Sequence, residues 1–161
     1  MAKKPAPLPP ALRAFADRVV SAETAVGEIH NGEHVFVGTG CAAPRALVQA
    51  LERMASPPAD VEMLHFFTIQ AFDHDAQGHC TTRFRHRSFF VGSDMRAAVK
   101  QGLVDYVPMS VARIPEMIAL GRIAVDVALI QVSLPDAFGY VSLGVSVDII
   151  PAAIARARRV I

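Results

Sequence analysis

The sequence predicts an α/β fold, an open and mostly parallel sheet covered by helices. Helical and extended patterns alternate along the chain, which favours parallel strands joined by right-handed crossovers. The apolar run that starts at Val125 is bounded by Pro135 and Gly139 and is typical of a strand buried on both faces. Ligand loops in such sheets follow the carboxyl ends of strands, so residues 133–148 are predicted to form the functional loop.

Each predicted element has a local justification. Helix 43–54 carries an apolar stripe that includes Leu47 and Leu51, and the Ser-Pro-Pro segment 56–58 ends it. Ser93 is predicted to cap a helix that Gly102 stops. The predicted helices are 11–20, 22–29, 43–54, 94–101, 115–120 and 151–159. The predicted strands are 34–37, 61–69, 89–91, the run that starts at 125, and 160–161, with an irregular polar segment at 70–82.

Composition and charge indicate one soluble domain. The chain has 161 residues, of which 52% are hydrophobic and 19% charged, and its net charge is +1. Mean hydropathy is +0.34, yet no apolar stretch approaches the roughly 20 residues of a membrane span. The near-neutral charge gives no electrostatic footprint for nucleic acid, and two cysteines without a pattern favour a reducing compartment. The sequence therefore predicts a cytoplasmic domain that binds neither nucleic acid nor membrane.

The two ends of the chain have different characters. Residues 1–20 combine a leading helix with a Pro- and Ala-rich tail that lacks the apolar core of a signal peptide. Residues 21–161 are predicted to form one domain. Because 151–159 is a predicted helix and 160–161 begins another strand, the chain is expected to end inside an element, as truncation, proteolysis or a split gene would produce.

The first candidate site is the loop Gly38-Thr39-Gly40. A strand leads into it, and the helix that follows is expected to present free backbone N–H groups to an anion or carbonyl, which glycines allow to approach closely. The segment also fits the dinucleotide pattern Gly-x-Gly-x-x-Ala through Ala43. Pro44 delays the helix and no acidic residue ends the next strand, so that interpretation is discounted. A tight strand-to-helix turn without a ligand is the alternative.

The second candidate site is the loop 133–148, which follows its strand as the glycine loop follows the strand before it. In a parallel sheet both loops lie on one rim, where Thr39, Ser142 and Ser146 are predicted to donate hydrogen bonds to an acyl carbonyl or carboxylate. The alternative is structural. The loop's Asp and Gly residues would then form turns, and Asp148 would cap the following helix.

A cluster of histidines invites a test for metal binding. His74, His79, Cys80 and His86 lie close together in a polar stretch, but none of the usual zinc spacings is present and His79 adjoins Cys80. The sequence therefore argues against a metal site. His86 is instead expected to be partly buried and hydrogen-bonded.

Cys41 and three arginines also carry reactive or charged groups. Cys41 follows the glycine loop near a helix start, but nothing in the sequence supplies its base, so it is expected to pack behind the loop. Arg83, Arg85 and Arg87 alternate and so share one face of an extended segment, where they would meet the phosphates of a ligand. A solvated edge strand, which uses charge to resist association, is the favoured interpretation.

Short motifs follow one another in a fixed order along the chain. They are 38–44 (GTGCAAP) with Leu47 and Leu51, 86–92 (HRSFFVG), 96–102 (RAAVKQG), 105–108 (DYVP), 114–115 (IP) and the run 125–148. This order resembles the acetyl-CoA hydrolase/transferase family, which includes acetate, succinate and 4-hydroxybutyrate CoA-transferases. The resemblance covers residues 21–161.

The resemblance implies two similar α/β halves, of which this chain is the first. The family's nucleophilic glutamate, which forms a glutamyl-CoA thioester, lies in the second half, so the chain alone is expected to be inactive. Coenzyme A is implied as a substrate in the form of acyl-CoA, beside small carboxylic acids, with no permanently bound cofactor. The implied partners are the carboxy-terminal domain or a second subunit, and further copies in a homo-oligomer. The implied substrate-binding residues are Gly38, Thr39, Gly40, Ser133, Ser142, Gly144 and Ser146, and no catalytic residue or metal ligand is assigned.

Two other function classes stay open at this point. A standalone module that holds CoA, an acyl carboxylate or a partner subunit without chemistry would use the same loops. A dinucleotide-dependent oxidoreductase would bind NAD tightly at the Gly38 loop, and it is the less favoured of the two.

Overall fold

The computed structural model describes residues 7–69, 73–77 and 79–161, and it confirms the predicted α/β class. The strands are β1 (His34–Val37), β2 (Glu62–His65), β3 (Asp73–His74), β4 (Cys80–Thr81), β5 (Arg85–Ser88), β6 (Val104–Tyr106), β7 (Val127–Leu129) and β8 (Arg159–Val160). The α-helices are α1 (Ala22–Val26), α2 (Arg45–Glu52), α3 (Ser93–Lys100), α4 (Ile114–Ala119) and α5 (Ile150–Arg156). Within the described ranges, six strands form a parallel sheet in the order β6-β5-β2-β1-β7-β8, and β3 pairs with β4 antiparallel.

Helices cover both faces of the sheet. Paired residues of parallel strands point to the same face, so Val35 and Met63 lie together against α1 and α2. Phe36 and Leu64 point to the opposite face and pack with α4 and α5. All four side chains are at most 2% exposed. The central strands are therefore buried on both faces, which explains their uninterrupted apolar sequences.

Most predicted elements are confirmed, with shorter bounds. Strand 34–37 is β1, and the run from 125 contains β7 at its centre. Helix 43–54 begins only at Arg45, because Pro44 occupies the N-cap position with a non-helical ψ of 67°. The strand predicted at 160–161 is β8, Arg159–Val160, which starts one residue earlier and pairs with β7. The predicted strand 61–69 ends at His65, after which the chain leaves the sheet.

The region around the arginines corrects two predictions. The strand lies at Arg85–Ser88, not at 89–91. It is also an interior strand, paired with both β2 and β6, so the edge-strand interpretation is wrong. The edge is β6, which the sequence did not predict. Arg85 and Arg87 are accommodated inside because Glu62 of β2 lies next to them, with Oε1 at 3.5 and 3.0 Å from their guanidinium nitrogens.

Three further boundaries differ from the prediction. Ser93 is the first residue of α3, and Gly92 occupies the N-cap position without a side-chain hydrogen bond, so Ser93 is not the cap. The segment 70–82 contains the β3–β4 hairpin, although residues 70–72 and 78 lie outside the described ranges. The leading helix is a 3-10 helix, Pro10–Arg18, with no buried residue. None of the helices within the described ranges has the length and apolar character to cross a bilayer.

Replacing a core residue of β7 tests this packing. Leu129 is fully buried, so Leu129→Ala is expected to lower the free energy of unfolding by about 2–5 kcal/mol through lost contacts and an unfilled cavity. Leu120→Ala is the matched control, since Leu120 is 63% exposed, and it should change that free energy by less than about 0.5 kcal/mol. Urea denaturation of both variants measures the difference. Equal effects would contradict the burial of β7.

Candidate functional site

The two predicted loops meet at one rim of the sheet. They follow β1 and β7, which are adjacent and parallel, so both loops start at the same edge. Thr39 Oγ1 donates a hydrogen bond of 2.5 Å to Asp148 Oδ2, and Cys41 Sγ lies 3.5 Å from Ser146 Oγ. Residues that are more than a hundred positions apart in sequence thus form one side-chain cluster.

Gly38 and Gly40 make this approach possible. A Cβ at Gly38 would lie 3.1 Å from the Ala42 carbonyl oxygen, and a Cβ at Gly40 would lie 3.0 Å from Ser146 Oγ. Gly40 also has a φ of +56°, in the left-handed region that favours glycine. The glycines therefore allow close packing of the two loops.

The backbone N–H groups of these glycines are already used. Gly38 N–H donates to the Leu129 carbonyl at 2.8 Å, and Gly40 N–H donates to the Phe67 carbonyl at 2.5 Å. The N–H groups of Ala42 and Ala43 bond within the loop. The expectation that this loop presents free N–H groups to an anion is therefore corrected at these four positions.

Asp148 joins the two loops and is not a helix cap. Ile149 occupies the N-cap position of α5, and α5 has no side-chain cap hydrogen bond. Asp148 Oδ1 instead accepts from the adjacent Ile149 N–H at 2.5 Å, and Oδ2 accepts from Thr39. The φ of Asp148 is +23°, an unusual value for a residue with a side chain. The capping interpretation is replaced by a link between the loops.

A pocket of about 490 Å³ opens where the loops meet. It is lined by Gly40, Cys41, Phe66, Phe67, Ile69, Phe90, Val145, Ser146 and Asp148. The Phe90 ring packs against two others, with ring centroids 6.2 Å from Phe66 and 5.6 Å, edge to face, from Phe67. One wall is therefore aromatic, while Ser146 and Asp148 supply polar groups.

Cys41 lies in this pocket and not behind the loop. It is exposed, and its thiol faces the Ser146 hydroxyl. Cys41 was expected behind the loop because nothing in the sequence supplies a base for its thiol, whereas the side chain here is exposed. The aromatic wall was also missed. Its only sequence signal is the pair Phe66-Phe67 at the end of a buried strand.

The structure brings together only part of the predicted substrate-binding set. Gly40 and Ser146 line the pocket, Thr39 bonds to Asp148 of the pocket lining, and Gly38 lies close to Ala42 and Leu129. The other three predicted residues form a turn within the second loop, and all three are exposed. That turn is closed by bonds from the Ser142 N–H to Ser133 Oγ and from the Gly144 N–H to Ser142 Oγ, each 3.0 Å long. A direct contact of these seven residues with substrate stays a prediction.

Comparison with known proteins identifies the family. The family described as the acetyl-CoA hydrolase/transferase N-terminal domain matches residues 12–161. The chain belongs to this family. The family domain thus accounts for the sheet, for both rim loops and for the pocket between them.

Two curated proteins show the same relationship. The chain is 37% identical over 134 residues to the 4-hydroxybutyrate coenzyme A transferase of Clostridium kluyveri, which covers 83% of this chain and 31% of that protein. It is 35% identical over 138 residues to the succinyl-CoA:acetate/propanoyl-CoA:succinate CoA transferase of Fasciola hepatica, covering 84% of this chain and 28% of that protein. The chain spans less than a third of the length of these relatives.

Solved structures agree with the fold. RipA from Yersinia pestis superposes with a TM-score of 0.77 at 30% identity, covering 92% of this chain and 37% of that one. The 4-hydroxybutyrate CoA-transferase from Porphyromonas gingivalis gives a TM-score of 0.62 at 26% identity, covering 91% of this chain and 33% of that one. The N-terminal domain architecture is therefore shared with both.

This acetyl-CoA hydrolase/transferase domain also contains a buried histidine pair. The ring centroids of His65 and His86 lie 5.1 Å apart with the ring planes 18° from parallel, and both side chains are at most 2% exposed. Burial lowers the pKa of His86 to about 3. Burial, together with the neighbouring His86, holds the pKa of His65 well below its ordinary value. His86 is thus hydrogen-bonded as expected, but fully buried.

Other members of the histidine cluster and of the arginine cluster contact neighbouring residues. His79 Nδ1 lies 3.1 Å from Asp75 Oδ2 at the surface. Within the described residues, no three His, Cys, Asp or Glu side chains are placed to hold a metal ion, and the His74 side chain lies outside that description. The Arg83 guanidinium donates to the Met54 carbonyl. These contacts give His79 and Arg83 structural roles.

Acidification is expected to destabilise the domain through the histidine pair. Above pH 6.5 both rings are neutral in the folded and unfolded chains; below it, the unfolded chain takes up protons that the native rings do not. The free energy of unfolding should therefore fall as pH decreases, by up to about 1.4 kcal/mol per pH unit for each histidine. For His86 this loss continues down to its native pKa of about 3.

Urea denaturation at several pH values below neutrality measures the slope. Ring ¹⁵N NMR on the same samples should show both histidines neutral as long as the chain is folded. A native state in which either ring protonates near pH 6.5 would contradict the burial of the pair.

Proposed function

We propose that this chain supplies the acyl-binding part of an enzyme that moves CoA between carboxylic acids, for example acetate or 4-hydroxybutyrate. The observation that carries this proposal is the pocket at the rim, formed by both loops that the family resemblance marked. Its aromatic wall suits the carbon chain of an acyl group, and Ser146 suits its carbonyl oxygen. The CoA-transferase names of both curated relatives support the same activity.

The covalent step belongs to a second part of the enzyme. A glutamate carboxylate there attacks the thioester carbonyl of acyl-CoA, the C–S bond breaks, and an acyl-glutamyl anhydride and CoA thiolate form. The thiolate then attacks the glutamyl carbonyl, releasing the first carboxylate and leaving a glutamyl-CoA thioester. An acceptor carboxylate reverses both steps, and water in its place completes hydrolysis. The short span of the chain relative to its relatives supports this division.

The chain's own residues would orient the acyl group. Ser146 is 8% exposed and, among the described residues, its hydroxyl makes a long 3.5 Å contact to Cys41 Sγ, so its hydrogen is available to an acyl carbonyl oxygen. Thr39 donates its hydroxyl proton to Asp148 and thereby fixes the second loop.

Coenzyme A is a substrate in this scheme, and the chain holds no permanent cofactor. We place the enzyme in the cytoplasm.

The exposed part of the second loop supports contact with a partner. Phe138, Tyr140 and Val145 are 87%, 75% and 86% exposed. Such a cluster of apolar side chains is typical of a surface that another domain covers. We propose that the carboxy-terminal domain or a second subunit covers it, within a homo-oligomer. The same surface also favours the second candidate function, a module that binds CoA or a partner without chemistry.

Complementation tests the proposed function. The 161-residue chain alone should show no exchange of CoA between acetyl-CoA and labelled carboxylates, because the proposed mechanism assigns the nucleophilic glutamate to the second part of the enzyme. Adding a separately expressed carboxy-terminal domain that carries the glutamate should produce exchange. Turnover by the chain alone would overturn the proposed division, and a folded, associated but inactive pair would favour the binding module.

Gly40→Ala tests the pocket in the active pair. The new Cβ would lie 3.0 Å from Ser146 Oγ, so we expect Ser146 to move and kcat/KM to fall at least roughly tenfold. Gly102→Ala is the matched control: Gly102 has a φ of +75° with no atom within 4 Å of a Cβ. Both variants carry backbone strain of about 1–2 kcal/mol. Equal losses of activity would assign the effect to strain and not to the pocket.

A further inference from the structure

A continuous chain of hydrogen bonds joins five side chains on the α2 side of the sheet. Thr68 Oγ1 lies 2.9 Å from His65 Nδ1, and His65 Nε2 lies 2.8 Å from His86 Nδ1. His86 Nε2 lies 2.7 Å from Thr82 Oγ1, which lies 2.6 Å from Glu52 Oε1. His65, Thr68 and His86 are at most 4% exposed. Each internal bond is therefore costly to break, because water has little access to replace it.

The Glu52 end of this chain fixes its direction. Glu52 accepts at both carboxylate oxygens, from the Thr82 hydroxyl and from the Arg83 N–H at 3.2 Å, as an ionised carboxylate does. Thr82 Oγ1 accepts the Phe84 N–H at 3.2 Å and gives its only proton to Glu52. Its remaining lone pair must accept a proton from His86. His86 is therefore protonated at Nε2.

The direction continues through both rings to Thr68. A neutral His86 with a proton on Nε2 has a lone pair on Nδ1, which must accept from His65 Nε2–H. His65 Nδ1 then carries a lone pair and accepts the Thr68 hydroxyl proton. All donors therefore point from Thr68 toward Glu52, and both histidines are Nε2–H tautomers.

Thr68 lies directly behind the pocket wall. It forms an isolated parallel bridge with Gly40, whose N–H bonds to the Phe67 carbonyl. Its sequence neighbours Phe67 and Ile69 both line the pocket. An anchored Thr68 side chain therefore fixes the two residues that flank it.

We propose that His65 and His86 are positioning residues, which form a one-way hydrogen-bond relay through which Glu52 orients Thr68 and thereby the pocket wall. Neither histidine is among the described residues that line the pocket, so both act on the pocket wall through Thr68. The relay rests on the proposed function only in that the pocket holds an acyl group. Its direction is a property of the folded chain and can be measured without substrate.

Glu52→Gln should reverse the relay. The backbone N–H of Arg83 needs an oxygen as its acceptor, so the amide oxygen of the new glutamine faces Arg83. The NH₂ group of that amide then faces Thr82. Thr82 then accepts from Gln and gives its proton to His86 Nε2. His86 becomes protonated at Nδ1 and donates to His65 Nε2, and His65 is in turn protonated at Nδ1. One remote substitution should therefore switch both tautomers.

Long-range ¹H–¹⁵N NMR of the 161-residue chain tests this directly. The unmodified chain should show His65 and His86 protonated at Nε2, and E52Q should show both protonated at Nδ1. Glu28→Gln, at an exposed position, should leave the tautomers unchanged. An Nδ1–H tautomer in the unmodified chain, or an unchanged pair in a folded E52Q chain, would overturn the proposal.

A kinetic test in the pair formed with the carboxy-terminal domain measures the effect on the pocket. Thr82→Val removes the acceptor of His86, so the KM for acyl-CoA should rise by roughly threefold or more while kcat changes less than about twofold. Thr82→Ser should restore KM, and Thr81→Val, at an exposed neighbouring hydroxyl, should have no effect. An unchanged KM in T82V would overturn the link to the pocket. An inactive unmodified pair would count against the proposed function, whereas the tautomers would still decide the relay.

Discussion

The parallel pairing of β1 with β7 is the constraint on which the site depends. Its register runs from Val35 opposite Val127 to Val37 opposite Leu129, so the two strands end at the same level. The Gly38 N–H continues the ladder by bonding to the Leu129 carbonyl. Both rim loops therefore begin side by side, and any side chain larger than hydrogen at position 38 would contact backbone atoms at about 3.1–3.2 Å. The pocket follows from this pairing.

Strands β2 and β5 carry polar groups on both faces, and each face satisfies them differently. On one face, the buried Glu62 carboxylate lies next to Arg85 and Arg87, so opposite charges allow arginines in an interior strand. On the other face, His65 and His86 are neutral and bond to each other. Ion pairing on the face of Leu64 and neutral hydrogen bonds on the α2 face both avoid an isolated buried charge.

The sequence predicts features that depend on local patterns and misses those that depend on strand register. β1, β7 and the shared rim follow from apolar runs and glycine breaks, since both signals are local. β5 was predicted as an edge strand because its alternating arginines are typical of an exposed strand, whereas it is interior and Glu62 of the neighbouring strand pairs with Arg85 and Arg87. The histidine pair joins residues 21 positions apart, so no spacing rule indicates it. Cys41 was misplaced because the direction of one side chain depends on the loop conformation.

Position 40 is where these constraints meet. Gly40 bridges Thr68, bonds to the Phe67 carbonyl and leaves only 3.0 Å between a Cβ and Ser146 Oγ. The aromatic wall of the pocket is thus held by the interior of the sheet, through β2, whereas Ser146 and Asp148 belong to the second loop. In the proposed function, changes in that loop would alter the polar contacts of the acyl group while the apolar wall keeps its shape. The two properties that we propose to determine acyl specificity, chain size and carbonyl contact, would then be controlled by separate parts of the fold.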